Sequence, residues 1–162
     1  MSYDSTEDTK KHIEKVAEFI GLFLNALAKR ILYHDQSKLL SPEKEIFDEF
    51  TPKLKGSTYG SEEYKGFLKE MGAALEHHYK ENRHHPEHFT EEADATFRSS
   101  PVNCMNLIDL VEMLCDWKAA TLRHENGNIL QSIGINKERF GLSIQLASIL
   151  ENTVKDLGWV EK

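Results

Sequence analysis

Cysteine is scarce in this chain, and so are net positive charge and long apolar runs. The 162 residues hold only Cys104 and Cys115. Read as positions of one helix, they stand about 16 Å apart, far beyond disulfide reach. A reduced pair of core thiols in a cytoplasmic protein is expected, and the spacing excludes a cysteine-based zinc knuckle. The formal net charge of −7 argues against general attraction to duplex nucleic acid or an anionic membrane. A small anion can still bind where a metal supplies local positive charge. No apolar run approaches the roughly 18 residues of a membrane span, and the opening MSYDSTEDTKK is polar and acidic, so neither a span nor a signal peptide is expected. No glycine-rich phosphate loop is present. Nor does any repeat, low-complexity tract or linker divide residues 1–162, which read as a single domain able to bury a core.

What is present is helical patterning. Ile13, Val16, Ala17, Ile20, Phe23, Leu24, Leu27 and Ile31 recur at helical spacing, with Ser5 or Thr6 as the start. HDQSKLLSPEKE breaks this stripe, and Ser41-Pro42-Glu43 opens a second helix through Phe50, with Pro52 marking a kink or an early end. Ser61 caps a third, carrying Tyr64, Phe67, Leu68, Met71, Leu75 and then His78. That stripe turns His78 inward and leaves His77 off its centre. Pro86 closes this element, and residues 87–100 read as irregular. Pro101 opens a long helix that Asn126-Gly127 stops, and a last helix runs from about Leu142 to Leu157. Only Ile129–Ile135 has the look of strand. The fold class expected is all-α, a bundle of five to six helices.

Histidine is where the composition is unusual. Five of the eight histidines, His77, His78, His84, His85 and His88, fall within twelve residues. His34-Asp35 places an imidazole beside a carboxylate, a pair suited to one divalent metal, and Lys38 one turn later suits a phosphate. His78 and one of His84 or His85 are the preferred further ligands, while His88 and His124 are left unassigned. Asp109, Glu112 and Asp116 share one helix face. Asp109 reads equally well as solvated surface, but Asp116 lies among apolar neighbours, where an unpaired carboxylate is costly and a cation is wanted.

The order His12, His34-Asp35 and a late Asp116 resembles the HD-domain superfamily of metal-dependent phosphohydrolases, and HDQSK is similar to the HDxxK form of its signature. The wider wording, HDQSKLLSPE through HHYKENRHHPEHF to DLVEMLCDWKAA, is similar to a family of uncharacterised phage and bacterial proteins. The resemblance implies an HD-like helical domain holding one or two divalent ions (Mn, Fe, Co, Ni or Zn). His12, His34, Asp35 and Asp116 would bind the first ion, His78 with His84 or His85 the second, and Asp35 would bridge. His12 enters mainly through this resemblance. Along one unbroken helix it stands about 33 Å from His34, so the chain would have to turn back near Gly21 or Asn25.

The activity implied is hydrolysis of a nucleotide or other small phosphate ester by metal-activated water. Lys38, Arg83 and Lys118 would neutralise phosphate oxygens, and Glu112 would serve as base or orient the water. Self-association is left open. Two rival readings stand beside this one. An HD-fold di-iron oxygenase would use the same ligands with oxygen, and a phage-type helical binding protein would have no catalysis at all.

Overall fold

The computed structural model describes residues 3–58, 60–123 and 127–160. These residues are all-helical, with seven α-helices, three short 3-10 turns and no strand among them. None of the helices is long and apolar enough to cross a membrane. The chain divides into two units, Met1–His34 and Asp35–Lys162.

The first unit is a single helix, α1 (Thr6–Tyr33), of 28 residues. Its start is set by Asp4, whose carboxylate accepts from the Thr6 N–H at 3.0 Å, rather than by the side chain of Ser5. Glu7 and Asp8 in the first turn and Arg30 in the last oppose the helix dipole favourably. Gly21 and Asn25 lie inside the helix, and the chain does not turn back at either.

In the second unit, α2 (Glu43–Gly56) runs through Pro52 without ending there. α3 (Glu62–Glu81) is capped by the Ser61 hydroxyl, which accepts from Tyr64 N–H. It kinks at Gly72, where φ is 49° and ψ is −125°, a conformation that only glycine adopts cheaply. Phe50 and Phe67 meet edge to face between α2 and α3, with centroids 6.4 Å apart. The segment expected to be irregular holds a 3-10 turn (Pro86–Phe89) and a short helix, α4 (Thr90–Ala95). Pro101 opens a 3-10 turn ending at Cys104, not the long helix. That helix, α5 (Leu107–Thr121), begins at Asn106 in a reciprocal capping box with Asp109.

The two cysteines therefore sit on different elements, and Cys115 is exposed rather than in the core. The apolar run at Ile129 forms α6 (Ile129–Phe140), started by the Asn128 side chain. A short apolar run has no period of its own to separate helix from strand, and the cap decides it. α7 (Ile144–Asp156) follows, capped by Ser143. Met113, Leu114 and Trp117 of α5 pack with Ile129 and Ile133 of α6 and Leu150 and Val154 of α7 to form the main core. This core anchors α5 and so fixes the face on which Glu112 and Asp116 are carried.

Candidate metal centre

Asp35 starts the second unit in the left-handed region, with φ 56° and ψ 15°. Aspartate tolerates this conformation better than most residues, at a cost of order 1 kcal/mol. It makes a sharp corner directly after His34, whose N–H closes α1 on the Arg30 carbonyl at 2.8 Å. The Asp35 carbonyl then accepts from Lys38 N–H at 3.0 Å. That turn brings the Lys38 ammonium onto Asp35 Oδ2 at 2.6 Å and over the Phe47 ring at 4.9 Å.

The other oxygen of the same carboxylate faces imidazoles. His78 Nε2 and His84 Nε2 each lie 3.4 Å from Asp35 Oδ1. His85 Nε2 is 2.9 Å from His78 Nε2, and the His84 and His85 rings are 4.1 Å apart. His78 comes from the second half of α3, after the Gly72 kink. His84 and His85 come from the short link between α3 and the 3-10 turn at Pro86. His78 and His84 are each 1% exposed.

Both buried rings have their far nitrogen on a glutamate. His78 Nδ1 lies 2.8 Å from Glu43 Oε2 and 3.0 Å from Asn82 Nδ2, and His84 Nδ1 contacts Glu112 Oε1 at 3.2 Å. Glu43, at 0% exposed, also accepts from His77 Nδ1 at 2.8 Å and from the Ser37 hydroxyl at 3.0 Å. Asn82 completes the set, donating to Ser37 Oγ and to the His78 carbonyl, both at 2.8 Å. Burial, and then the Lys38 charge, push the His78 imidazolium pKa down to about 4 against the pull of Asp35 and Glu43. The ring is neutral at pH 7, the form that binds metals.

The donor set fits a divalent transition metal. Asp35, His78, His84 and His85 each offer an atom within 4.8 Å of the others. Four ligand atoms about 2.1 Å from one tetrahedral ion stand about 3.4 Å apart, so the set would draw in by about an ångström at its widest to hold one ion. Asp35 and His84 also lie within the same limit of Asp116, which is half-buried on α5. Asp35 and His84 are thus common to two overlapping groups of residues that could hold a metal ion. Imidazole with carboxylate suits Mn, Fe, Co, Ni or Zn.

Other expected site residues lie elsewhere. His12 is on the first unit, about 33 Å along an unbroken α1 from His34; the two are not brought together. Arg83 is committed to Asp109, with Nε and one terminal nitrogen at 3.3 and 3.1 Å from its carboxylate. Asp109, 0% exposed, is therefore a structural anchor that ties the histidine-bearing link to α5. Lys118 donates to the Trp159 carbonyl at 3.1 Å. Two residues beyond Asp116, it is rotated about 200° around α5 and serves the C-terminal segment. Glu112 is brought to the centre, with Oε1 3.2 Å from the Nδ1 of His84. His77 is the partly exposed partner of Glu43, and His88 Nδ1 lies 3.1 Å from the Tyr79 carbonyl. His124 lies outside the described residues.

Sequence reasoning missed Glu43, Ser37 and Asn82. Glu43 was visible only as the residue after a helix-opening proline, where an acid is expected for the dipole alone.

No curated protein and no solved structure is significantly similar to this chain. A family model does match residues 1–156, spanning α1 and every element that builds the centre. The chain accordingly belongs to DUF5662, a family of unknown function.

Proposed function

We propose that this chain is a metal-dependent phosphohydrolase of the HD-domain kind, acting on a nucleotide or another small phosphate ester. One observation carries the reading. The two oxygens of Asp35 are divided between two buried imidazoles and a lysine ammonium. A carboxylate so placed joins a metal-ligating set to a cation able to receive a phosphate oxygen.

In this reading Asp35, His78, His84, His85 and Asp116 hold one or two divalent ions. His34 joins them on the strength of its peptide bond to Asp35. A bound ion of this type lowers the pKa of water towards neutrality and withdraws charge from a phosphoryl oxygen. The protein's own groups do the rest. Lys38 neutralises a non-bridging oxygen of the substrate, exchanging part of its contact with Asp35 for the phosphate. Burial keeps His78 unprotonated, so that its Nε2 lone pair stays available. Glu112 holds His84 by its far nitrogen and has a supporting role rather than that of base. Arg83 and Lys118 take no part, because each is already used to tie the fold together.

The test is metal content of untagged protein together with phosphate release from a panel of nucleotides and simple esters. One to two equivalents of transition metal are expected, with hydrolysis that chelation abolishes and metal restores. Asp35→Asn and His84→Ala should lose both metal and activity. Protein that takes up none of Mn, Fe, Co, Ni or Zn would refute the reading. Metal-loaded protein that is inert on phosphate esters but consumes oxygen with iron would replace it with an oxygenase.

A further inference from the structure

We infer that Glu43 is a positioning residue for the metal centre: it fixes the tautomer of His78 and so aims Nε2 at Asp35. This rests on the reading of Asp35 and His78 as ligands. The geometry is specific. Glu43 Oε2 receives His78 Nδ1 at 2.8 Å and Ser37 Oγ at 3.0 Å, and Oε1 receives His77 Nδ1 at 2.8 Å.

Two groups compete for Nδ1: the Glu43 carboxylate at 2.8 Å calls for a proton there, whereas the Asn82 amide nitrogen at 3.0 Å would call for a lone pair. The two Asn82 N–H groups already have closer acceptors in Ser37 Oγ and the His78 carbonyl, so the carboxylate decides and Nε2 is the lone-pair nitrogen. Nε2 is the atom 3.4 Å from Asp35 Oδ1 and 2.9 Å from His85 Nε2. A neutral imidazole in water favours the opposite tautomer, with the proton on Nε2. Such a ring would point N–H, not a lone pair, into the centre. A buried carboxylate on the far nitrogen both selects the useful tautomer and raises ligand basicity.

Packing leaves the ring few alternatives. Phe47 meets His78 edge-on at 5.4 Å, and Asn82 grips the His78 carbonyl. Glu112 stands in the same relation to His84, so the arrangement occurs on both buried rings. Glu43 is brought there by the turn Lys38–Pro42, which ends with Glu43 N–H on the Leu40 carbonyl at 3.1 Å. The turn that presents Asp35 and Lys38 therefore also delivers the carboxylate that orients their partner.

The experiment uses the full chain labelled with 15N-histidine. Tautomers are read in the chelator-treated protein at neutral pH from long-range 15N–1H correlations, with His78 assigned by His78→Gln. Zn(II) and Co(II) titrations compare wild type with Glu43→Gln. The expected result is His78 protonated at Nδ1 in wild type, and metal affinity about 10- to 100-fold weaker in a folded Glu43→Gln protein. His78 protonated at Nε2, or an affinity unchanged in folded Glu43→Gln, overturns the inference. Should Glu43→Gln fail to fold, the wild-type tautomer alone decides. A wild type that binds no metal yet holds His78 as the Nδ1–H form would keep the tautomer assignment while refuting the metal centre, and with it both the positioning role and the hydrolase. Metal binding with the Nε2–H form would overturn the inference and leave the metal centre standing.

Discussion

Acidification should destabilise this protein through His78 before most of its carboxylates titrate. The perturbation is a fall in pH from 7 to 4 with chelator present, so that no metal competes for the ring. In the folded chain the imidazolium pKa lies at about 4, chiefly because the ring is buried and secondly because Lys38 is near. In the unfolded chain it returns to about 6.5. Between those values the unfolded state binds a proton that the folded state refuses, so folding stability falls as pH falls. The contribution is intact above about pH 6.5 and fully lost below about pH 4. At about 1.4 kcal/mol per pH unit the total loss is about 3 kcal/mol, of which about 2 kcal/mol has gone by pH 5. A loss of this size is a large part of the stability of an ordinary domain. The assay is urea denaturation followed by circular dichroism across this range for wild type and His78→Gln, which cannot titrate at that position. The variant starts less stable, since it gives up the bond to Glu43, but its stability should fall less steeply with acid. Parallel curves for the two proteins would refute the argument.

Three further outcomes follow from the same geometry. Metal at about 100 times its dissociation constant should add about 2.7 kcal/mol and raise the melting temperature by roughly 5–10 °C. A melting temperature indifferent to both chelator and metal would contradict the ligand set. Gly72→Ala should cost about 1–3 kcal/mol through backbone strain alone, because φ is 49° there and an added Cβ meets nothing within 4 Å. Gly66→Ala, on the same helix with equally open space, should instead stabilise by up to about 1 kcal/mol. Equal signs in urea denaturation would mean that the kink is not held. Asp109→Ala should lower stability by about 3 kcal/mol, through the lost cap and the broken pair with Arg83, and should leave a folded protein that still binds metal. Asp116→Ala should weaken metal binding with little effect on stability; calorimetric titration of both variants would expose an exchange of these roles.

The legible part of this protein is the part that periodicity governs. α1 was predictable because its apolar residues recur at one helical period over several turns, and that same regularity keeps His12 far from His34. His78 was predictable as inward-facing because it continues the stripe of α3. The Gly72 kink interrupts the helix within that stripe, but the spacing still carries the reading from Met71 to His78. Where periodicity is silent, chemistry had to be guessed from residue type. Lys118 has a suitable charge near Asp116, yet an offset of two residues on a helix turns it to another face. Arg83 stands beside His84 in sequence, but Asp109 holds its guanidinium.

Glu43 is the instructive omission. A ligating histidine shows itself by clustering with others, whereas its supporting carboxylate can come from any element that passes behind the ring, so no spacing rule points to it. Its role becomes visible only once the Asp35 turn has folded and places the start of α2 against the end of α3. The reverse also holds. The interactions that orient His78 are Ser37, Asn82 and Glu43, and none of them faces the centre itself. A substitution among these three should therefore disturb metal binding as much as the loss of a ligand at the edge of the set, even though each looks in sequence like an ordinary helix-terminal polar residue.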